Sequence, residues 1–475
     1  MAAMIPCGMV MEPRPGKRTG RLGIGLEKLD RSLYDPMPAL SMLAQSGAHY
    51  VRLQSGWQRT ERKKGEYDFT WLDTLVDALC ERGMEPWIDL CYGNALYTPE
   101  AGAYFGAVGC APTETAEERN AWAAYVRAVV SRYRGKVRFY EIWNEPDGIW
   151  CWKSGVDAAS YARFACDTAD AIHGADEEAL AVAGVLCSVN LPFFRALLDA
   201  GLAEHADALS YHRYNANEIT AWQEHQSLRA LADAYRPGLM LIQGESGTQS
   251  RPGGAGALNG GAWSEEKQMK YLLRHRLIDL ATDSVLISHF SALDMPEALN
   301  GDTSDRRSWL DYGYFGILSA TFGPDGLADG TYRPKPSYRA FQVLCALFSG
   351  DVRPVALPVV RKALPSPSVF GQDADDARIL SFGYADENGQ ALAYWMAVDL
   401  MRETYEGTVS FSLAGERRPI RLIRLSDGAV FAIPEENQKR EGGLVTGLVN
   451  LPLSDTPYLL TFGNFAKGAL REGTV

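Results

Sequence analysis

Glu145 and Glu245 lie 100 residues apart, and each stands at the end of an apolar, strand-like run. Glu145 closes "RFYEIWNE" (138–145) and is followed by Pro146; Glu245 sits between glycine and serine in "LMLIQGES" (239–246). A carboxylate in such a place is costly to bury unless something pairs with it or uses it. Proline disfavours the helical region for the residue before it, so Pro146 predicts that Glu145 is extended at the strand tip. Two carboxyl groups, one protonated and one ionised, can cleave an acetal. One gives its proton to the leaving oxygen, and the other attacks or activates water. The residues alone leave open which takes which part. Arg52 and Tyr214 are donors able to hold one carboxylate ionised, and the other, beside a charged neighbour and partly desolvated, would have its pKa raised. The amide of Asn144 offers a donor beside Glu145, suited to a sugar hydroxyl. Each residue taken singly also has a plainer use. A strand-end glutamate can be an ion-pair partner or a helix cap, His212 a structural histidine, Arg52 the partner of a core acid and Trp143 a core residue.

Positioning these groups falls to eight short apolar runs, at 21–27, 49–54, 85–93, 137–145, 180–186, 206–214, 239–246 and 284–290. Segments with helical spacing, such as "FTWLDTLVDALCERG", separate most of them and end in basic residues and glycine. Eight βα units over residues 21–345 predict a (β/α)8 TIM barrel, with catalytic groups at the C-terminal strand ends. At ~30 residues per unit, Glu145 falls on strand 4 and Glu245 on strand 7, facing each other across the mouth. An open doubly wound sheet is the alternative, but "GIGLEK" matches its phosphate loop poorly. Past residue 345, short alternating strands with Asn-Gly and Asp-Gly turns predict an antiparallel β-sandwich over 346–475. Residues 1–20 are too short to stand alone and are expected to pack on it.

The net charge of −12 argues against nucleic acid or an anionic membrane as partner. The eight cysteines are scattered, with no paired zinc spacing. They read as reduced thiols, and with no leader or membrane-length run the expectation is a cytoplasmic protein. Neither a His/Cys cluster nor an acidic ligand run is expected at the barrel mouth, so no metal and no cofactor are predicted. Self-association into a homo-oligomer stays open.

Trp143-Asn144-Glu145-Pro146 on strand 4, His212-x-Tyr214 on strand 6 and Gly244-Glu245-Ser246 on strand 7 together resemble the clan A glycoside hydrolases. Family 39, with its β-xylosidases and α-L-iduronidase, is the most similar, over nearly the whole chain. The resemblance implies that Glu145 is the acid/base and Glu245 the nucleophile. It also implies that Asn144 binds the hydroxyl next to the anomeric carbon, that Tyr214 and Arg52 orient Glu245, and that His212 lines the sugar subsite. Two positions depart from the family pattern. Gln54 stands where a histidine is expected after Arg52, and Phe290 where a tryptophan lies under the sugar. Both bear on the first subsite and weaken an expectation of β-xylose. Tyr92, Asn94 and Tyr97 after strand 3, Trp150 and Trp152 after strand 4, and Trp309 and Tyr312 after strand 8 are further candidates for stacking or hydrogen bonding to sugar. The expected function is a retaining exo-glycosidase acting on small oligosaccharides. The alternatives are an endo-acting clan A hydrolase and a non-catalytic carbohydrate-binding barrel.

Overall fold

The computed structural model describes residues 4–14, 16, 19–297, 302, 304–308, 310–362 and 374–472. Eight parallel strands close into a barrel: β1 (Leu22–Gly25), β2 (Tyr50–Gln54), β3 (Glu85–Leu90), β4 (Phe139–Ile142), β5 (Leu180–Leu186), β6 (Ala208–His212), β7 (Met240–Glu245) and β8 (Leu286–His289). Each lies inside one of the eight runs read from the sequence. The pairing of β8 with β1 (Ile287 with Leu22, His289 with Ile24) closes the ring and rules out the open sheet. One main helix follows each strand: α1 (Leu40–Ser46), α2 (Thr70–Glu81), α3 (Ala116–Arg132), α4 (Ala158–Ala175), α5 (Leu191–Asp199), α6 (Ala221–Tyr235), α7 (Glu265–Leu280) and α8 (Pro336–Leu347). Local sequence fixes several starts. Thr115 and Glu118 form a reciprocal capping box on α3, and the Ser264 side chain accepts from Lys267 N on α7.

The C-terminal part forms two antiparallel sheets. The four-stranded one pairs Glu406–Glu416 with Val359–Arg361 and Leu444–Ser454, and the latter with Gln438–Glu441. In the eight-stranded one, the N-terminal strand Ile5–Val10 lies between Ala429–Ala432 and Leu470–Glu472. Its strand Gly389–Met396 shows how the layers stack. Leu392, Tyr394 and Met396 pack against Val409, Phe411, Leu448 and Leu451 of the smaller sheet. Ala391, Ala393 and Trp395 join the core that includes the barrel helices. A strand buried on both faces therefore serves two cores with a period of two. Among the described residues, no helix is long and apolar enough to cross a membrane.

The exit from β4 differs from expectation. The strand ends at Ile142, and Trp143 and Glu145 adopt φ of 67° and 45°. Glu145 is therefore not extended before Pro146. Its N–H is drawn to Val185 O on β5 at 3.0 Å, and its carbonyl accepts from Gly148 N at 3.0 Å, which turns the chain sharply. Tertiary hydrogen bonds override the local preference of a residue before proline.

Candidate active site

Arg52 projects from β2 into the barrel and is completely enclosed. Its Nε donates to Glu141 Oε2 at 2.6 Å, Nη1 to Glu245 Oε1, and Nη2 to Asn144 Oδ1 at 2.9 Å. Glu27 Oε1 and Asp89 Oδ2 each lie 3.5 Å from the same guanidinium. Tyr214 OH donates to the other oxygen of Glu245 at 2.7 Å. Burial works against the Glu245 charge, but His212, Arg52, the Tyr214 hydrogen bond and Lys28 outweigh it and hold its carboxyl below the usual range.

Across the mouth, Glu145 is gripped differently. Its Oε1 lies 2.9 Å from His212 Nδ1, and its Oε2 accepts from Trp150 Nε1 at 2.5 Å. Burial lowers the His212 pKa, but Glu245 and the hydrogen bond to Glu145 raise it to about 9. At neutral pH His212 is therefore charged, with its Nδ1 facing Glu145 Oε1. One carboxylate oxygen of Glu145 and one of Glu245 lie within 4.8 Å of each other, with His212 within the same distance of both. Carboxyl groups about 5–5.5 Å apart suit nucleophilic double displacement, whereas an inverting pair needs roughly 6.5–9.5 Å to admit a water.

Residues 44–236, which carry Arg52, Asn144, Glu145, His212 and Tyr214, match the model for Glycosyl hydrolases family 39. Over those residues the chain is similar to the family 39 glycosyl hydrolases. A family 39 glycoside hydrolase from Bacteroides cellulosilyticus matches with TM-score 0.65 and 18% identity, over 94% of this chain and 81% of that one. A monomeric β-xylosidase from Caulobacter crescentus matches with TM-score 0.59 and 17% identity, over 95% and 97%. A family 30 endoxylanase from Clostridium papyrosolvens gives 0.57 and 14%, over 96% and 98%. At such identities these likenesses speak for the fold. A search of curated proteins returns no match.

Several residues expected to touch sugar have other employment. Gln54 is spent internally: its Oε1 accepts from Lys28 N (3.0 Å) and Arg31 Nη2 (2.7 Å), and its Nε2 reaches Tyr92 OH (3.1 Å) and Asp89 (3.4 Å). Asn94 ties down its own loop, donating to Glu61 O and accepting from Leu96 N. Trp152 is fully buried among Trp143, Tyr161 and Phe164 and belongs to the core. His212 is likewise fully buried and bridges the two glutamates instead of lining a sugar wall. Tyr97 stacks on Trp57 and donates to Glu61. Trp150, half-buried against Glu145, keeps a place at the mouth. Phe290 does too, meeting Tyr214 and Phe315 edge-on, with Lys28 Nζ 5.8 Å from its ring centre. Trp309 lies outside the described residues.

The sequence reading missed Glu27, Asp89 and Glu141. Far from lacking an acidic cluster, the mouth gathers three extra carboxyl groups around Arg52. The signal was there: an acid inside an otherwise apolar barrel strand needs a buried cation, and Arg52 is one. Glycine makes room for the cluster at Gly25, where a Cβ would lie 2.2 Å from both Glu27 carboxyl oxygens. Glu145, His212 and Glu245 also have the spacing of a metal-ligand group. His212 Nδ1 is already engaged with Glu145, however, and Arg52 and Tyr214 already neutralise Glu245.

Proposed function

We propose that this hydrolase is an exo-acting glycosidase that releases a terminal sugar from small oligosaccharides or glycosides, with Glu245 as nucleophile and Glu145 as acid/base. The observation that carries the assignment is the asymmetry of the pair. Glu245 is fastened by Arg52 and Tyr214 as an ionised group, while Glu145 meets no guanidinium and is held by His212 and Trp150. Glu245 bonds to the anomeric carbon as the glycosidic carbon–oxygen bond breaks and Glu145 delivers a proton to the leaving oxygen, giving a glycosyl-enzyme. Glu145 then takes a proton from water as that water attacks the same carbon and displaces Glu245 as a carboxylate, so the anomeric configuration is retained. Arg52 fixes the Asn144 amide through its oxygen, leaving Nδ2 against only the weak acceptor Cys151 Sγ at 3.5 Å among the described residues. That donor suits the sugar hydroxyl beside the reacting carbon. Trp150 stands beside the acid, where the leaving group departs.

Enclosure supports the exo mode. The side chains of Glu145 and Glu245 are only 11% and 9% exposed, which fits a chain end better than an open cleft. With Gln54 engaged elsewhere, Phe290 is the remaining departure that bears on specificity. Its smaller stacking face leaves room for a sugar other than plain β-xylose, such as a hexose or a substituted furanose. The test is the size of the first product from a defined oligosaccharide, together with kcat/KM for aryl xyloside, galactoside, fucoside and arabinoside in both anomers. Internal cleavage products would refute the exo mode. A preference for β-xyloside of roughly tenfold or more (~1.4 kcal/mol) would refute the role given to Phe290.

A further inference from the structure

We propose that the C-terminal sheets are a working part of the catalytic site, with Trp395 acting as a positioning residue for Tyr214 and, through it, for Glu245. This rests on the reading of Glu245 as nucleophile. The loop after β6 carries Tyr214 and, four residues on, Glu218. Glu218 is buried, and its Oε1 accepts from Trp395 Nε1 of the eight-stranded sheet at 3.1 Å and from Arg274 Nη1 of α7 at 3.3 Å. Arg274, completely enclosed, is itself held by the C-terminal part: Nη1 donates to Val398 O at 2.9 Å and Nε to Asp455 O at 2.8 Å. Lys270, one turn earlier, reaches Asp455 Oδ2 at 3.0 Å.

The start of the same loop is locked to the nucleophile. Arg213 N donates to Glu245 O at 2.8 Å, Arg213 Nη2 to Asn217 O at 3.0 Å, and Arg213 Nη1 meets His275 of α7 at 2.7 Å. The loop after β7 is pinned from the same side, where Trp263 packs with Tyr271 and with Leu400 and Met401 of the C-terminal part. Contacts between the two parts, polar at Glu218 and apolar at Trp263, thus converge on the two loops that flank Glu245. Buried charge networks tolerate few alternative geometries, because each lost partner strands a desolvated group. Such a lock transmits position where a greasy interface would permit sliding.

The test is a double-mutant cycle on kcat for the best aryl glycoside of the panel, using full-length protein well below its melting temperature and normalised to the fraction of active sites. Trp395→Phe keeps an aromatic ring in the sheet while removing the donor and the five-membered part of the indole. It should lower kcat roughly three- to tenfold with KM little changed, and add less than about twofold to the loss in Tyr214→Phe. Tyr384→Phe is the control. Its hydroxyl joins the same sheet to Leu277 O at 2.6 Å, away from both loops, and its loss should leave kcat unaltered. Unchanged kcat in Trp395→Phe, an equal loss in Tyr384→Phe, or losses at Trp395 and Tyr214 that multiply in full would each overturn the proposal. The reading of Glu245 fails separately, if Glu245→Ala remains active.

Discussion

Replacing Glu27 with glutamine should make the protein more stable than wild type at alkaline pH and little changed in acid. Glu27, Asp89, Glu141 and Glu245 all face the single guanidinium of Arg52. One positive charge cannot neutralise four buried negative ones, so protons must make up the difference. The geometry shows where. Glu141 and Glu245 take close hydrogen bonds from Arg52, while Glu27 and Asp89 stand back at 3.5 Å. Burial first, and then the neighbouring Glu245, push Glu27 up to about 8; burial likewise pushes Asp89 up to about 7. An acid whose pKa is higher in the folded protein than in the unfolded chain binds more protons when folded. Its contribution is therefore undiminished below the ordinary value of 4.5 and is lost as pH rises from 4.5 to about 8. Over that interval the loss is on the order of 5 kcal/mol. Glutamine occupies the same volume and never ionises. Urea unfolding of both proteins at intervals from pH 5 to 9 should give curves that diverge steadily, with wild type falling relative to Glu27→Gln by several kcal/mol. Parallel curves across the whole range would refute the charge argument.

The other predictions concern catalysis. Glu245→Ala should abolish turnover of every substrate. Glu145→Ala should spare aryl glycosides with activated leaving groups and be partly rescued by azide; rescue of Glu245→Ala with retention would reverse the roles. Tyr214→Phe removes a 2.7 Å hydrogen bond to Glu245, the proposed nucleophile. At about 1.5–3 kcal/mol, it should cost roughly 10- to 150-fold in kcat/KM, measured on the best aryl glycoside. Activity should persist in excess chelator, because the two-glutamate mechanism needs no Lewis acid; complete loss restored by one divalent ion would mean that Glu145, His212 and Glu245 hold a metal.

Barrel, strand order and the two glutamates were legible because they depend on local signals: apolar runs of strand length, helical spacing between them, and carboxylates where turn residues would suffice. What escaped the sequence depends on partners distant in the chain. Nothing local distinguishes Trp150, which donates to Glu145, from Trp152, which fills the core, since the intervening turn decides which indole faces the mouth. Gln54 read as a sugar contact because it stands where the family pattern has a histidine after Arg52. Arg31 and Tyr92, from two other loops, reach it first and use up its amide. Glu145 before proline read as extended, yet a backbone bond to Val185 on the next strand turns it to positive φ.

The acids within the strands were the readable feature left unread. An inward charge in a barrel strand commits the fold to a cation at the same layer, and Arg52 can serve several acids because its fork presents donors in three directions. Glu141 takes one direction, Glu245 another and Asn144 the third. Through one side chain the barrel thus holds Glu245, the proposed nucleophile, and orients the Asn144 amide proposed to face the sugar. An uncharged isostere at Arg52 would therefore do more than remove one hydrogen bond: it would strand four carboxyl groups in a low-dielectric layer and compel Glu245, the one that must stay ionised, to compete for the protons that Glu27 and Asp89 now hold.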